Sequence, residues 1–410
     1  MKPRLLLLGG GIEQLNALRI AKELGADVVV FDGHDTAACE LEATEFHTVN
    51  IKDHEALLAK AESSKVSAVF VHAAELAIEC ALVAEHLKLP GIPVHVAELG
   101  TDKSLRSACF QKAGIHIPSF RSIPANSSYE VWQKMASEIG FPLVAKPTKL
   151  AGAQGVEYIA GELELSDYFT RSACFDKQSF VVEEYIAGEQ LSTESVSIDS
   201  KVISTSTAKR HYDTTKGLWP YQIEDGHSMP WQDAQGMRPE IEKTIEACRK
   251  AFGLKTGVLK GDVVIKPNGD IVVLEMAVRT SGGRFCDTVV PLCSGINILY
   301  PLMQYALGQS PDISFLKPKH NTGVSQRFVI LPEGTRLRQH KILQHLLLDK
   351  DIISSWFRDD LHDLDVVPAI RSHRDRLGYV ICVSKDRKLA DRRALEVVDE
   401  IAAALCEVRE

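Results

Sequence analysis

Asp262 and Glu275 flank a segment whose local chemistry sets them face to face. Val263 to Lys266 and Ile271 to Met276 are strand-like runs, and Pro267-Asn268-Gly269-Asp270 between them is a strong hairpin signal. A turn centred between Asn268 and Gly269 places Asp262 opposite Glu275. Pro267 lacks an N–H and widens the start of the ladder, but it leaves that centre unchanged. Opposed Cβ atoms of an antiparallel pair stand roughly 4.5 to 5.5 Å apart, so two like charges there repel unless a cation lies between them. Magnesium takes one or two carboxylates and completes its shell with phosphate oxygens and water, which suits this pair. The competing arrangement has both carboxylates splayed into water at the hairpin edge, or a bulge turning one of them to the other face.

Arg279 shares the parity of Glu275 if the strand continues that far, and Gly282-Gly283 beyond it lets a ligand approach the backbone closely. Such a guanidinium either stabilises charge developing on a transferred phosphoryl group or pairs with Glu275. Lys146 ends the apolar run from Phe141, just before Gly152-Ala153-Gln154-Gly155, which sets an ammonium beside backbone that can cover phosphates. A lysine in that position is by itself equally a solvated strand end. The string G-x-x-x-x-G-K-[ST] is absent, which disfavours a P-loop ATPase. His227, in a polar stretch 222–236 read as a long loop, and Lys209, Arg210 and His211 are candidates for substrate contact, or simply solvated charges.

These groups need elements to hold them. The first hundred residues alternate β-branched runs with amphipathic helical patterns: Leu5 to Leu8, a helix near 13–24, Val28 to Phe31, a helix near 53–63, Ala68 to Val71, and a helix near 75–87. That is βαβαβα, a parallel sheet covered on both faces. Gly9 and Gly11 after the first strand and Asp32 after the second invite a dinucleotide site, and an NAD-dependent oxidoreductase with it. Gln14, however, stands where the third glycine of the fingerprint would allow close helix packing, so a tight turn in a Rossmann-like domain is preferred. After residue 100 the pattern turns antiparallel-rich, with helices at 103–113, 129–139 and 239–252 and a final helix at 389–405.

With 55 acidic residues against 47 Lys and Arg, the 410-residue chain lacks the bulk positive charge of a nucleic-acid binder. Mean hydropathy is near zero, and no apolar stretch reaches the roughly 18 residues of a membrane span. Leu5 to Leu8 is too short for a signal-peptide core, so a cytoplasmic location is expected. The nine cysteines form no C-x-x-C pair and read as reduced thiols, and the 14 histidines show no H-E-x-x-H.

Taken in order, Asp102-Lys103, Phe141 to Lys146 with its glycine loop, Glu183-Glu184-Tyr185-Ile186 with Glu189, Asp262, and Glu275-Met276-Ala277-Val278-Arg279 make a recognisable series. It resembles the ATP-grasp superfamily, in particular the branch with biotin carboxylase-like architecture that includes L-amino-acid ligases and other carboxylate-amine ligases. The resemblance spans nearly the whole chain. Its motifs are individually loose, but their order and spacing are specific. It implies a mixed α/β and α+β fold: an N-terminal Rossmann-like domain over 1–100, an ATP-grasp domain over 101–320 with lobes 101–185 and 186–320, and a C-terminal α+β subdomain over 321–410. It also implies that Lys103 and Lys146 contact ATP phosphates under the loop of Gly152, Gln154 and Gly155. Glu183, Glu184, Tyr185 and Ile186 would form the adenine hinge and Glu189 would reach the ribose. Asp262 and Glu275 fall at magnesium-ligand positions, with Mn2+ able to substitute, and Arg279 matches the arginine that meets the transferred phosphate or the substrate. One departure stands out. The family places asparagine two residues after the second metal carboxylate, and this chain has Ala277, which puts a two-magnesium site in doubt.

The implied activity is ATP-dependent activation of a carboxylate as an acyl phosphate and its joining to an amine, with Lys146 and Arg279 in catalytic roles and Gly282, Gly283 and His227 near the substrate. The alternative is a carboxylase or carbamoyl-phosphate-type enzyme that activates bicarbonate, and a further one is an ATP-binding protein without turnover. The implied partners are a small carboxylate and a small amine, with no nucleic acid and no membrane, and a homodimer left open.

Overall fold

A computed structural model of the chain describes residues 2–175, 177–337, 351–358 and 366–406. The unbroken apolar run near the start is what a strand covered on both faces requires. β1 (Arg4–Leu8) lies in a four-stranded parallel sheet with β2 (Asp27–Asp32), β3 (Glu45–Thr48) and β4 (Ala68–Val71), ordered β3-β2-β1-β4. Leu5 and Leu7 enter one core with Ala17 and Leu18 of α1 (Leu15–Glu23). Leu6 and Leu8 enter the opposite one with Leu57 of α2 (His54–Ser63) and Val83 of α3 (Ala77–His86). The expected Rossmann-like layer is therefore present.

α4 (Val94–Thr101) and α5 (Lys103–Lys112) lead out of that layer, and Asp102 caps α5 by accepting from the backbone N–H groups of Ser104 and Leu105. A second, antiparallel sheet holds β5 (Phe120–Ile123), β6 (Leu143–Pro147), β7 (Glu157–Ile159) and β8 (Phe180–Glu184) in the order β5-β8-β6-β7. It is covered by α6 (Tyr129–Ile139) and by α7 (Glu162–Ser172), a helix absent from the sequence expectation; Trp132, Leu165 and Tyr168 fill the space between.

The third sheet is antiparallel and has eight strands: β9 (Glu189–Ile198), β10 (Lys201–His211), β11 (Gly226–Met229), β12 (Gly257–Ile265), β13 (Ile271–Ala277), β14 (Gly323–Val329), β15 (Ile352–Phe357) and β16 (Gly378–Ser384). Their order is β13-β12-β9-β10-β11-β14-β16-β15, so the strands after residue 321 extend the sheet of the preceding segment. α8 (Arg238–Phe252) packs with Phe110 of α5 against β12 and β13. α9 (Val290–Ser294) and α10 (Leu299–Ala306) close the first core, and Val397 and Ile401 of α11 (Arg387–Leu405) cover β14 and β16. Among the described residues no helix is long and apolar enough to cross a membrane.

Two expectations are corrected here. The stretch 222–236 is not one long loop, because it contains β11. Gly226, His227, Ser228 and Met229 are all buried, and they form a strand because β10 and β14 pair with both edges. Asp262 does face Glu275, but by another route. Hydrogen bonds between Lys266 and both Gly269 and Asp270 close a loop of Pro267, Asn268 and Gly269, and Ile265 pairs with Ile271. The ladder then shifts between Val263 and Asp262, leaving Leu274 as a bulged residue. A longer loop and a bulge each move the register by one, and the two shifts cancel.

Candidate active site

The second and third sheets face each other across a cleft of about 380 Å3. Lys146, at the end of β6, reaches across to Glu183 on β8, Nζ to Oε1 2.5 Å, with both residues nearly buried. Glu184, Tyr185 and Ile186 continue the same wall, and Val144 and the bulged Leu274 add apolar surface beside Ile186. Capping by Asp102 fixes the start of α5, which carries Lys103 inward: its Nζ donates to the Leu150 carbonyl at 2.5 Å and lies 4.0 Å from Glu275. Arg106 lies 3.6 Å from the same carboxylate.

Burial pushes the Lys103 ammonium down to about 8, with the Glu275 charge working against that shift. Burial alone would raise Glu275. The surrounding Lys103, Arg106, Lys260 and Lys146 outweigh it and hold that carboxyl well below the usual carboxylate range. Asp262 is more crowded still. Its Oδ1 accepts from Ser192 Oγ at 2.9 Å and lies 2.7 Å from Lys260 Nζ, and its Oδ2 accepts from Arg210 Nη1 at 2.8 Å. Burial opposes its ionisation, yet Arg210 and Lys260 keep its pKa lowered.

Among the described residues no three His, Cys, Asp or Glu side chains gather closely enough to hold a metal by themselves. Two carboxylates on adjacent strands facing one cleft are the donor set of an ion that takes the rest of its shell from phosphate and water, and magnesium fits that description.

At the far end of the cleft, Arg279 lies beyond the last residue of β13, so the parity expected for it does not apply. Its partner is not Glu275 but Glu75 of the first layer, with a second bond to the Thr280 carbonyl. Gly283 N–H donates to Glu13 at 2.6 Å, and the Thr280 hydroxyl meets His72 at 2.9 Å. The Rossmann-like layer thus braces the loop that carries Arg279, Gly282 and Gly283. His227 Nδ1 lies 3.3 Å from Glu224, whose other oxygen accepts from Arg210 at 3.0 Å, and the Arg376 guanidinium stacks 3.6 Å from the Phe328 ring centre. Burial would raise Glu224, but Arg210, His227 and Arg376 hold it well below the usual range.

A family model described as D-ala D-ala ligase C-terminus matches residues 109–283, and one described as alanine dehydrogenase/PNT, C-terminal domain, matches residues 2–88. An uncharacterized protein of Sinorhizobium fredii is 24% identical over 392 residues, covering 92% of this chain and 76% of that protein. The carbamoyl phosphate synthase large chain of Clostridium botulinum is 21% identical over 286 residues, covering 67% of this chain and 26% of that protein, so this chain spans about a quarter of that relative's length. The structure of L-amino acid ligase from Bacillus licheniformis superposes with a TM-score of 0.79 at 19% identity, covering 97% of this chain and 98% of that one. A carboxyaminoimidazole ribonucleotide synthase from Aspergillus clavatus, solved in complex with ATP, gives 0.75 at 16% identity, covering 98% and 99%. The chain has the ATP-grasp fold.

Within the ATP-grasp cleft the structure gathers Lys103, Lys146, Gly152, Glu183 to Ile186, His227, Asp262, Glu275, Arg279, Gly282 and Gly283. Gln154 and Gly155 sit in the stem of the glycine loop instead: the Gln154 amide donates to Ala151, and the Gly155 carbonyl accepts from Tyr168. Glu189 lies outside the cleft lining, accepting from Trp231 Nε1 at 3.2 Å and pairing with Lys209 at 3.5 Å, while Gln190 lines the cleft beside it. Arg210 faces the cleft and its neighbours Lys209 and His211 do not, as alternation along β10 requires. Cys286 and Cys293 are buried away from the cleft.

Sequence reasoning missed Lys260, Ser192, Glu224, Arg376, Glu75 and Glu13. Lys260 was within reach, because it precedes Asp262 by two residues and so shares its face. The others arrive from elements distant in the chain. The N-terminal glycine turn is occupied by its own side chains. Asp32 accepts from Gly10 N–H at 2.7 Å, and Gln14 folds back over Gly9 and Gly11 to donate to the His72 carbonyl at 2.7 Å.

Proposed function

We propose that the chain is an ATP-dependent ligase that activates a carboxylate as an acyl phosphate, joins it to an amine, and releases ADP and phosphate. The observation that carries this reading is the convergence of Lys103 from α5, Lys146 from β6, Asp262 from β12 and Glu275 from β13 on one cleft, with Arg279 and Gly282-Gly283 at its far end. The similarity to an L-amino acid ligase and to an ATP-bound synthase of the same fold supports it.

In this reading a carboxylate oxygen attacks the γ-phosphorus, and the bond to the bridging oxygen breaks toward ADP. The amine nitrogen then attacks the acyl carbon, and phosphate leaves with the C–O electron pair. Lys103 and Lys146 gather phosphate oxygens, and Ile186, Val144 and Leu274 offer an apolar slot for the base. Arg279 meets charge developing at the transferred group. Asp262 and Glu275 would hold magnesium, or Mn2+ in its place, and the ion would supply neutralisation of phosphate charge. Among the described residues no cysteine lines the cleft, consistent with direct transfer rather than an enzyme-bound acyl group.

The test is ADP and phosphate release from Mg·ATP across a panel of amino acids and small carboxylates. Release that demands both a carboxylate and an amine is the expected result. Release driven by bicarbonate alone would replace the ligase reading with the carboxylase-type one, and no turnover with any pair would overturn both.

A further inference from the structure

Position 277, where the family resemblance places an oxygen-bearing metal ligand, is alanine, and the residue directly opposite it on β12 is Lys260. Opposed Cβ atoms in such a pair are roughly 4.5 to 5.5 Å apart, so a short side chain at 277 leaves the space above it to the long one at 260. Lys260 uses that space. Its side chain is 17% exposed, it lines the cleft, and its ammonium lies 2.7 Å from Asp262 Oδ1. Ser192 also donates to Oδ1, and Arg210 donates to Oδ2 at 2.8 Å, so both Asp262 oxygens already carry cationic or hydroxyl donors. An ammonium has three donors and no lone pair, so it can replace the charge of a metal ion but cannot bind one. The resemblance implies that a second divalent ion takes a ligand at 277, which this chain lacks, and such an ion would sit against the Lys260 ammonium.

We propose that Lys260 takes the place of a second divalent cation, so that nucleotide binds with one metal ion, shared by Asp262 and Glu275. The inference rests on the ATP-binding reading of the cleft. It also changes the chemical roles: Lys260 becomes a phosphate-facing residue, and Arg210 a positioning residue that holds Asp262 while anchored on Glu224.

The test is the manganese stoichiometry of the whole chain saturated with the β,γ-imido analogue of ATP, measured by equilibrium dialysis with electron paramagnetic resonance. One Mn2+ per bound nucleotide with no Mn–Mn coupling is the expected result, and two coupled Mn2+ would overturn the inference while leaving ATP binding intact. Failure of the analogue to bind under any metal condition would instead overturn the ATP reading itself. Lys260→Met should lower analogue affinity at least tenfold, with Lys260→Arg recovering most of it; equal affinity in all three proteins would count against a phosphate-facing role. Lys260→Ala combined with Ala277→Asn should admit a second Mn2+. The wild-type stoichiometry decides the question even if that double variant does not fold.

Discussion

At the scale of single residues, the cleft is a set of charges that compensate one another before any ligand arrives. Lys146 is paired with Glu183, Arg279 with Glu75, and Arg210 with both Asp262 and Glu224. Among the described residues Glu275 is the member left facing Lys103 and Arg106 at 4.0 and 3.6 Å without a closer bond. That looser seat is where an arriving cation meets least competition. Glu275→Gln, which keeps the shape and removes the charge, should lower ATP-dependent phosphate release by about two orders of magnitude or more, in the range known for lost transition-state charge stabilisation. Steady-state turnover of the variant beside a check that its unfolding stays cooperative would measure this, and near-normal turnover would remove Glu275 from the site. Opposition of Glu275 to Asp262 was legible in the sequence, although the route was not: Asn268-Gly269 marks the turn clearly, but neither the three-residue loop nor the Leu274 bulge has a local signature. The charge partners were illegible for another reason. Glu75 and Arg279 are 204 positions apart, and only the packing of the first layer on the third sheet joins them.

At the scale of elements, legibility follows how far a segment's structure depends on its own pattern. β1, with its two-faced apolar run, and α5, with its Asp102 cap, declare themselves. β11 does not, since Gly226 to Met229 is neither alternating nor apolar and becomes a strand only between two neighbours. β9 shows a related cost. Thr193, Glu194, Ser195 and Ser197 are polar yet fully or almost fully buried in the middle of the large sheet. Glu194 accepts both the backbone N–H and the hydroxyl of Ser281, tying β9 to the loop that follows Arg279. Burial pushes its carboxyl up to about 7, with the Ser281 bonds, Lys260 and Arg279 opposing the shift. A folded-state pKa raised above the unfolded value means that the native chain holds the extra proton between about pH 4.5 and 7. Stability contributed by this group is therefore fully present below that window and lost as pH rises through 7. A shift of that size corresponds to roughly 3 kcal/mol at most. In urea titrations from pH 4.5 to 8, Glu194→Gln should gain stability relative to the parent chain as pH rises, because the amide stays neutral throughout. A stability difference that does not change with pH would mean that Glu194 is ionised throughout or does not titrate in this window.

At the scale of the whole molecule, the cleft is closed by contacts that cross between sheets. The Tyr158 N–H donates to the Pro220 carbonyl at 2.9 Å, and Glu157 bridges to Tyr221, which ties β7 of the second sheet to the segment between β10 and β11. The Gly152 carbonyl in the glycine loop accepts from the His373 N–H at 2.9 Å, tying that loop to the turn before β16. Tyr158, Tyr185 and Trp219 pack edge to face at the same junction. The glycine loop is bonded to His373, and β7, which follows it, is bonded to Pro220, so the loop meets residues 213–223 and 370–376 at one junction. Nucleotide that binds beneath the loop should then order all three segments as one unit. At a concentration one hundred times its Kd it should also raise global stability by about 2.7 kcal/mol. Hydrogen exchange with and without Mg2+ and the β,γ-imido analogue of ATP reads this directly: peptides covering 150–159, 213–223 and 370–376 should gain protection together and with the same dependence on nucleotide concentration. Protection confined to 150–159 would show that the glycine loop closes alone, and that the bonds to Pro220 and His373 are incidental to holding the nucleotide.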